Sequence, residues 1–192
     1  MTAEWQPTAR LETLQLRARL YNEIRQFFAA RQVLEVETPI LSAGCVPEPM
    51  IEPFYTHYHG SQVKRLFLQT SPELAMKRLL AAGSGAIFQI TKVFRDGETG
   101  RWHQPEFSLL EWYRPGFNQE QLIQEVDELL QMLLQTAPAE PLSYCAVFET
   151  YTGLHPLNSS LSSLHEYVKP GRVGKRLLVC PPLITEKSIL VF

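Results

Sequence analysis

The fold of this chain is constrained most by a strand that ends at Phe94, a polar loop, and a second strand that ends before Pro115. The stretch reads FRDGETGRWHQPEFSLLEWYRP. The apolar run Ala86–Phe94 predicts the first strand, and Glu106–Tyr113 predicts the second. Alternate residues of a strand share one face of the sheet. In the second strand this predicts a common face for Phe107, Glu111 and Tyr113.

The polar residues of this hairpin suit the binding of phosphate and amine groups. Arg95 follows the first strand, and its planar guanidinium matches phosphate oxygens bidentately. Arg101 and His103 lie in the loop, where they could reach further phosphates. Glu111 stands among aromatic and apolar residues, where a carboxylate is costly to bury without a cation. Structural roles stay open as alternatives: a surface ion pair for Arg95, core packing for Phe107 and a satisfied core position for Glu111.

A helix with clear start and stop signals precedes the hairpin. In TSPELAMKRLLAAG, Ser71 is a candidate N-cap and Pro72 fits the first helical position. Glu73 suits the positive end of the helix, and Gly83 is placed to end it. The pattern therefore predicts a helix whose first turn carries a carboxylate.

The other segments alternate between helical and extended patterns. Leu11–Gln32 predicts an amphipathic helix, and Val33–Thr38 predicts a strand that Pro39 ends. Ser42–Gly60 is rich in proline and predicts a loop. The remaining predicted elements are a short strand at Arg65–Gln69, a helix over Asn118–Thr136 with Asn118 and Gln121 as a capping pair, and a short helix from Tyr144 to Tyr151 that ends at Gly153.

Composition restricts the class of protein. The chain has 192 residues, 45% of them hydrophobic, and a formal net charge of −2, which does not favour a general nucleic-acid surface. Neither a membrane span nor a secretory signal is visible, and the three separated cysteines form no metal pattern, so a cytoplasmic protein is expected. Residues 166–192 contain five Lys or Arg and two Glu. They predict a divergent, poorly ordered tail, with a basic segment for an acidic partner as the alternative.

The order of these motifs resembles that of class II aminoacyl-tRNA synthetases. RQFFAARQVLEVETPIL resembles motif 1, and FRDGETGRWHQPEFSLLEWYRP resembles motif 2 in the form found in lysyl-tRNA synthetases and their short bacterial paralogues. The resemblance implies an α+β fold, with an antiparallel sheet flanked by helices. It also implies an ATP-dependent ligase that forms a homodimer through the region of Pro39.

The resemblance assigns roles to individual residues. Arg95 is implied as the catalytic contact to the α-phosphate and to the substrate carboxylate. The residues implied to bind ATP are Arg95, Asp96, Gly97, Arg101, His103, Gln104 and Phe107. The residues implied to bind the amino acid are Ser71, Pro72, Glu73, Glu111 and Tyr113. Gly97 departs from the family, which usually has Glu at this position.

The sequence of these motifs most resembles that of the short paralogues that attach (R)-β-lysine to a lysine of elongation factor P. The resemblance covers about residues 10–165, so residues 1–165 are expected to form the N-terminal part of a class II catalytic domain, and no motif 3 follows Tyr113. We therefore expect a chain that is incomplete on its C-terminal side and nearly inactive alone, with the Mg²⁺ ligands in the missing half and no metal site here. Binding of tRNA is not expected. The alternatives are lysyl-tRNA charging and a non-catalytic fragment that dimerises or binds ligands.

Overall fold

A computed structural model describes residues 5–168 and the backbone of residues 188–191. The helices in these ranges are α1 (Leu11–Ala29), α2 (Glu73–Ala81), α3 (Gln119–Leu134), α4 (Tyr144–Thr152) and α5 (Leu161–Val168). The strands are β1 (Leu34–Glu35), β2 (Leu41–Ser42), β3 (Tyr55–His59), β4 (Val63–Leu68), β5 (Ile87–Phe94), β6 (Glu106–Tyr113) and β7 (Ser188–Val191). The predicted α+β class is confirmed.

The central sheet has four strands in the order β1-β5-β6-β7. β5 and β6 form the predicted hairpin and pair antiparallel over their whole length, with Gln89 opposite Glu111. β7 pairs antiparallel with β6. β1 pairs parallel with β5, so the sheet adds one parallel pair to the expected antiparallel strands. The second strand of the hairpin has the predicted bounds, Glu106–Tyr113.

One face of this sheet is covered by α1 and α3. The Phe28 ring of α1 stacks on Phe88 at 4.5 Å between centroids and lies 5.4 Å from Trp112. Below them, Glu125 of α3 accepts a hydrogen bond from Trp112 Nε1 at 3.0 Å. We call this the helical face. Its buried aromatic rings account for much of the core, since aromatic side chains bury more apolar area than any others.

The opposite face of the sheet carries Gln89, Glu111 and Tyr113, and we call it the site face. A second sheet, in the order β2-β4-β3, attaches to it through Gln69. Gln69 Nε2 donates to Thr91 Oγ1 at 3.1 Å, and Gln69 O accepts from the Phe94 N–H at 2.9 Å. The prediction of a loop over Ser42–Gly60 was wrong for Tyr55–His59, which forms β3. The prolines that precede β3 favoured the prediction of a loop, and an exposed edge strand has no apolar pattern that would indicate it.

The helix ends follow local chemistry. Asn118 and Gln121 form the predicted capping box of α3. α4 ends at Gly153, which has a left-handed φ of 70°. α1 ends at Ala29, earlier than the predicted Gln32, because Gln32 itself adopts a positive φ of 56°. At α2 the side chain of Ser71 accepts from the Glu73 N–H at 3.1 Å, as an N-cap would, although Pro72 occupies the cap position.

The chain divides into two compact units. One contains Met1–Thr136 and Thr185–Phe192, and the other contains Ala137–Ile184. In the second unit α4 and α5 are joined by a hydrogen bond from the Tyr167 hydroxyl to Tyr151 O at 3.2 Å. Most of the tail predicted over residues 166–192 lies outside the described residues. Among the described helices, none has the length and apolar character needed to cross a membrane.

Candidate active site

A buried carboxylate lies at the centre of the site face. Glu111 is fully buried, and both of its oxygens accept hydrogen bonds from hydroxyl groups. Ser71 Oγ donates to Oε2 at 2.7 Å, and the Tyr113 hydroxyl donates to Oε1 at 2.5 Å. Three of the five residues predicted to bind the amino acid therefore meet at one carboxylate. The arrangement fixes the orientation of Glu111 with neutral donors.

Ser71 connects this carboxylate to the start of α2. Its oxygen accepts from the Glu73 N–H while its hydroxyl donates to Glu111, so one side chain orients both elements. Glu73 lies in the first turn of the helix, and its Oε1 is 3.0 Å from Lys77 Nζ, one turn along. Pro72 is buried at the turn and makes it rigid. The structure thus brings all five predicted amino-acid contacts to one locality.

The environment of Tyr113 keeps its hydroxyl protonated. Burial raises the pKa of this phenol well above its usual range, and the hydrogen bond to Glu111 and the negative charges of Glu111 and Glu73 raise it further. A phenol that stays protonated remains a hydrogen-bond donor at any physiological pH. Tyr113 therefore holds Glu111 as a fixed acceptor.

A cleft of about 580 Å³ opens at the loop end of the β5–β6 hairpin. Its volume lies within the range usual for ligand sites. Four of the seven residues predicted to bind ATP line it: Arg95, His103, Gln104 and Phe107. The other three, Asp96, Gly97 and Arg101, are in the same loop but are not among the residues that line this cleft. The exposed loop residues His103 and Gln104 stand at its border.

Arg95 joins the cleft to the buried carboxylate. Its Nε donates to Thr70 O at 3.3 Å, and Thr70 directly precedes Ser71. Its guanidinium carbon lies 5.1 Å from the centroid of the Phe107 ring, and its Nη1 lies 3.6 Å from Glu98. The contact with Glu98 is a loose ion pair on a partly exposed side chain. An arriving phosphate could replace Glu98 as the partner of this arginine.

The loop between the strands has its own internal bonds. The backbone N–H of Gly100 donates to His103 O at 3.1 Å. Gly97 has a φ of 75°, and its N–H donates to Asp96 Oδ1 at 2.8 Å. The Asp96 N–H in turn donates to Glu52 O at 2.7 Å. The left-handed φ at Gly97 favours glycine over any residue with a side chain.

Two further groups lie at the site that sequence reasoning missed. Arg17 of α1 lines the cleft and donates to Tyr21 and Ser108. Gln89 is 1% exposed and accepts a hydrogen bond from Thr38 Oγ1 at 3.0 Å. In the sequence, nothing distinguishes Arg17 from the other polar residues of its helix. Gln89 was detectable in principle, because a polar side chain inside an apolar strand needs partners.

The two parts of the site lie along one strand. Phe107 at the cleft and Glu111 at the carboxylate are four residues apart, which corresponds to roughly 13 Å in an extended strand. This separation is suited to a nucleotide at one end and an extended amino acid at the other. Among the described residues, no group of three or more His, Cys, Asp and Glu side chains could hold a metal ion.

The sequence of this chain matches one protein family and several curated proteins that share one name. Residues 4–158 match the family tRNA synthetases class II (D, K and N). Two proteins named elongation factor P--(R)-beta-lysine ligase, from Haemophilus influenzae strains PittGG and KW20, are 54% and 53% identical over 171 residues. A protein of the same name from Avibacterium paragallinarum is 52% identical over 169 residues.

The length of the match sets a limit on what these relatives imply. Each aligned region covers 86% of this chain and 53%, 53% and 52% of the respective relatives. The chain therefore spans about half the length of the curated relatives that it matches. Since the family match covers most of the sequence and includes both motifs, the chain belongs to the class II tRNA synthetase family of the D, K and N type.

Proposed function

We propose that this chain provides the ATP-binding and amino-acid-binding part of an ATP-dependent ligase for (R)-β-lysine. In this proposal the activated β-lysine is transferred to a lysine side chain of elongation factor P in the cytoplasm. The names of the relatives support this substrate and this acceptor. The observation that carries the proposal is the fully buried Glu111, oriented by Ser71 and Tyr113 on the strand that also supplies Phe107.

The proposed reaction has two steps. First, a carboxylate oxygen of β-lysine attacks the α-phosphorus of ATP, and pyrophosphate leaves with the electrons of the broken P–O bond. Then the amine of the acceptor lysine attacks the carbonyl carbon of the adenylate, AMP leaves and the amine loses a proton. Arg95 binds the α-phosphate and the attacking carboxylate, holds them in line and offsets the charge that develops between them.

The amine end of the substrate is assigned to the two carboxylates. Glu111 accepts from one ammonium group and Glu73 from the other, so the pocket offers one negative charge for each positive charge of a diamino acid. Lys77 Nζ, 3.0 Å from Glu73, occupies that carboxylate in this structure. Phe107 stacks on adenine, and Arg101 and His103 contact the outer phosphates. The remaining residues assigned to ATP binding are Asp96, Gly97 and Gln104.

Mg²⁺ would enter with ATP and neutralise its phosphates. The described residues offer no metal cluster, so no step of this mechanism is assigned to a protein-held ion. A homodimer through the Pro39 segment belongs to the same proposal. Leu34 and Leu41 flank this segment and are exposed, as residues of an apolar contact between two copies would be. In analytical ultracentrifugation we expect the purified chain to sediment with twice the monomer mass. A monomer would reject the proposed homodimer.

Calorimetric titration of the chain tests the binding assignments. We expect ATP to bind, and (R)-β-lysine or L-lysine to bind at least tenfold more tightly than norleucine, which lacks the side-chain amine. A buried polar site rejects an analogue without the matching group because its own acceptor is left unpaired. Equal affinity for lysine and norleucine would reject the assignment of a diamino acid.

The acceptor requires a second experiment. A hybrid that joins this chain to the remaining C-terminal part of the Haemophilus influenzae relative would be incubated with ATP, Mg²⁺, (R)-β-lysine and elongation factor P. We expect the mass of elongation factor P to increase by one β-lysyl residue. Charging of tRNA in place of this modification would favour the synthetase alternative.

A further inference from the structure

Gln89 presents a buried hydrogen-bond donor that the folded chain does not use. Its Nε2 atom has no solvent contact, and no described residue accepts a hydrogen bond from it. The residue as a whole is 1% exposed. Leaving a buried donor unpaired costs about 1–3 kcal/mol, so such a group in a folded protein requires an explanation.

The neighbours of Gln89 define the direction of this donor. Thr38 Oγ1, in the segment that follows β1, donates to Gln89 Oε1 at 3.0 Å. β1 and β6 flank β5 on opposite sides. Since the oxygen of the amide is taken by Thr38, its nitrogen is the end that remains for the neighbouring strand β6. Glu111 is directly opposite Gln89 on that strand.

The ligand proposed for this pocket cannot satisfy the donor itself. The ammonium groups of a diamino acid only donate hydrogen bonds, and its carboxylate is assigned to Arg95 at the other end of the site. The Glu111 carboxylate is an acceptor within reach, since the Cβ atoms of directly opposed residues are about 4.5–5.5 Å apart. A carboxylate accepts up to roughly four hydrogen bonds, so an oxygen that already accepts from a hydroxyl, as those of Glu111 do from Ser71 and Tyr113, can accept a second bond.

We propose that Gln89 is a positioning residue for Glu111. When a substrate ammonium binds to Glu111, the Gln89 side chain moves and donates its N–H to the carboxylate from the β5 side. The bond that is missing in the ligand-free chain is thus formed in the complex. This inference rests on the proposed amine-binding role of Glu111 and adds a specificity determinant to it. Thr38 has the supporting role of fixing which end of the amide faces β6.

A double variant, Thr38→Val with Gln89→Met, separates this role from a structural one. It replaces both hydrogen-bond partners with apolar groups of similar shape, a change that is close to neutral for stability or stabilising. We expect the urea midpoint to stay the same or rise, the affinity for L-lysine to fall about tenfold, and the affinity for ATP to stay within twofold of wild type. Thr38→Val alone leaves the amide in place and should weaken lysine binding by less than the double variant.

Calorimetry with L-lysine and ATP on these variants, wild type and Glu111→Gln decides between the outcomes. If Glu111→Gln loses lysine binding but the double variant binds lysine as wild type does, Gln89 has no positioning role and the proposed function stands. If the double variant fails to fold, or loses ATP and lysine affinity equally, Gln89 is structural and the inference is wrong. If wild type itself does not bind lysine, both the inference and the amine assignment are rejected.

Discussion

The two faces of the central sheet each bury a carboxylate, and they treat it differently. On the helical face Glu125 is 4% exposed, accepts from Trp112 Nε1, and lies 3.2 Å from Arg114 Nε and 4.0 Å from Arg31 Nε. On the site face Glu111 is fully buried and accepts from the hydroxyls of Ser71 and Tyr113. Guanidinium groups flank the first carboxylate, whereas hydroxyl groups donate hydrogen bonds to both oxygens of the second.

This difference separates a structural carboxylate from one prepared for a ligand. A buried ion pair with a protein cation is complete in the folded chain, and removing one partner destabilises the fold. Hydroxyl donors carry no charge, so the hydrogen bonds from Ser71 and Tyr113 orient Glu111 without reducing its attraction for a cation, and a low-dielectric setting strengthens that attraction. Substitutions on the site face should therefore change ligand binding, and substitutions on the helical face should change stability.

The largest expected effect is that of Glu111→Gln on lysine binding. The amide keeps the shape of the side chain but lacks the charge, and truncating one partner of a buried charged pair costs about 2–5 kcal/mol. We expect the affinity for L-lysine to fall by about 100-fold, measured by calorimetry, while the urea midpoint changes little. Glu106→Gln is the matched control, because Glu106 lies in the same strand, half exposed and paired with Lys92. If Glu111→Gln bound lysine as tightly as wild type, Glu111 would be a structural carboxylate like Glu125, and the proposed difference between the two faces would be wrong.

A smaller effect is expected for Arg95→Ala on ATP binding. Hydrogen bonds to charged groups contribute about 1.5–3 kcal/mol each, which corresponds to a loss of affinity of roughly tenfold or more. Arg65→Ala is the control: Arg65 is an exposed arginine of β4, 4.7 Å from the Tyr55 ring and not among the residues that line the cleft, and its loss should change ATP affinity by less than threefold. Equal losses of ATP affinity in the two variants would show that the chain attracts ATP by net charge and that Arg95 makes no specific contact with it.

Local patterns in the sequence predicted much of this sheet. The other features depend on contacts between residues far apart in the sequence, which local patterns do not predict. Strand β6 and the Asn118–Gln121 capping box were predicted correctly because parity and capping act within a few residues. The bond from Ser71 to Glu111 joins residues 40 positions apart, so the sequence placed both in one pocket only through family resemblance. The unused amide of Gln89 and the contact of Arg17 with Ser108 depend on packing that local patterns do not encode.

The smallest expected effect is a pH dependence that distinguishes Glu125. Burial raises the pKa of its carboxyl above the usual value, while Arg114 and the hydrogen bond from Trp112 lower it and offset part of that rise. In the pH range between the unfolded and folded pKa values, the folded chain binds more protons than the unfolded chain. The contribution of Glu125 to stability is therefore present at low pH and decreases as the pH rises through the folded pKa.

Urea unfolding of wild type and Glu125→Gln at several pH values between 4.5 and 8 measures this contribution. We expect the free energy of unfolding of wild type, relative to the variant, to decrease as the pH rises. Glu128→Gln, which removes a half-exposed carboxylate from the same helix, corrects for the change in net charge. A difference that increases with pH would mean that the attraction of Arg114 and Arg31 exceeds the penalty of burial. Glu125 would then be stabilised as an ion by its partners, and the contrast with Glu111 would be sharper still, since neutral hydroxyls orient that carboxylate on the other face.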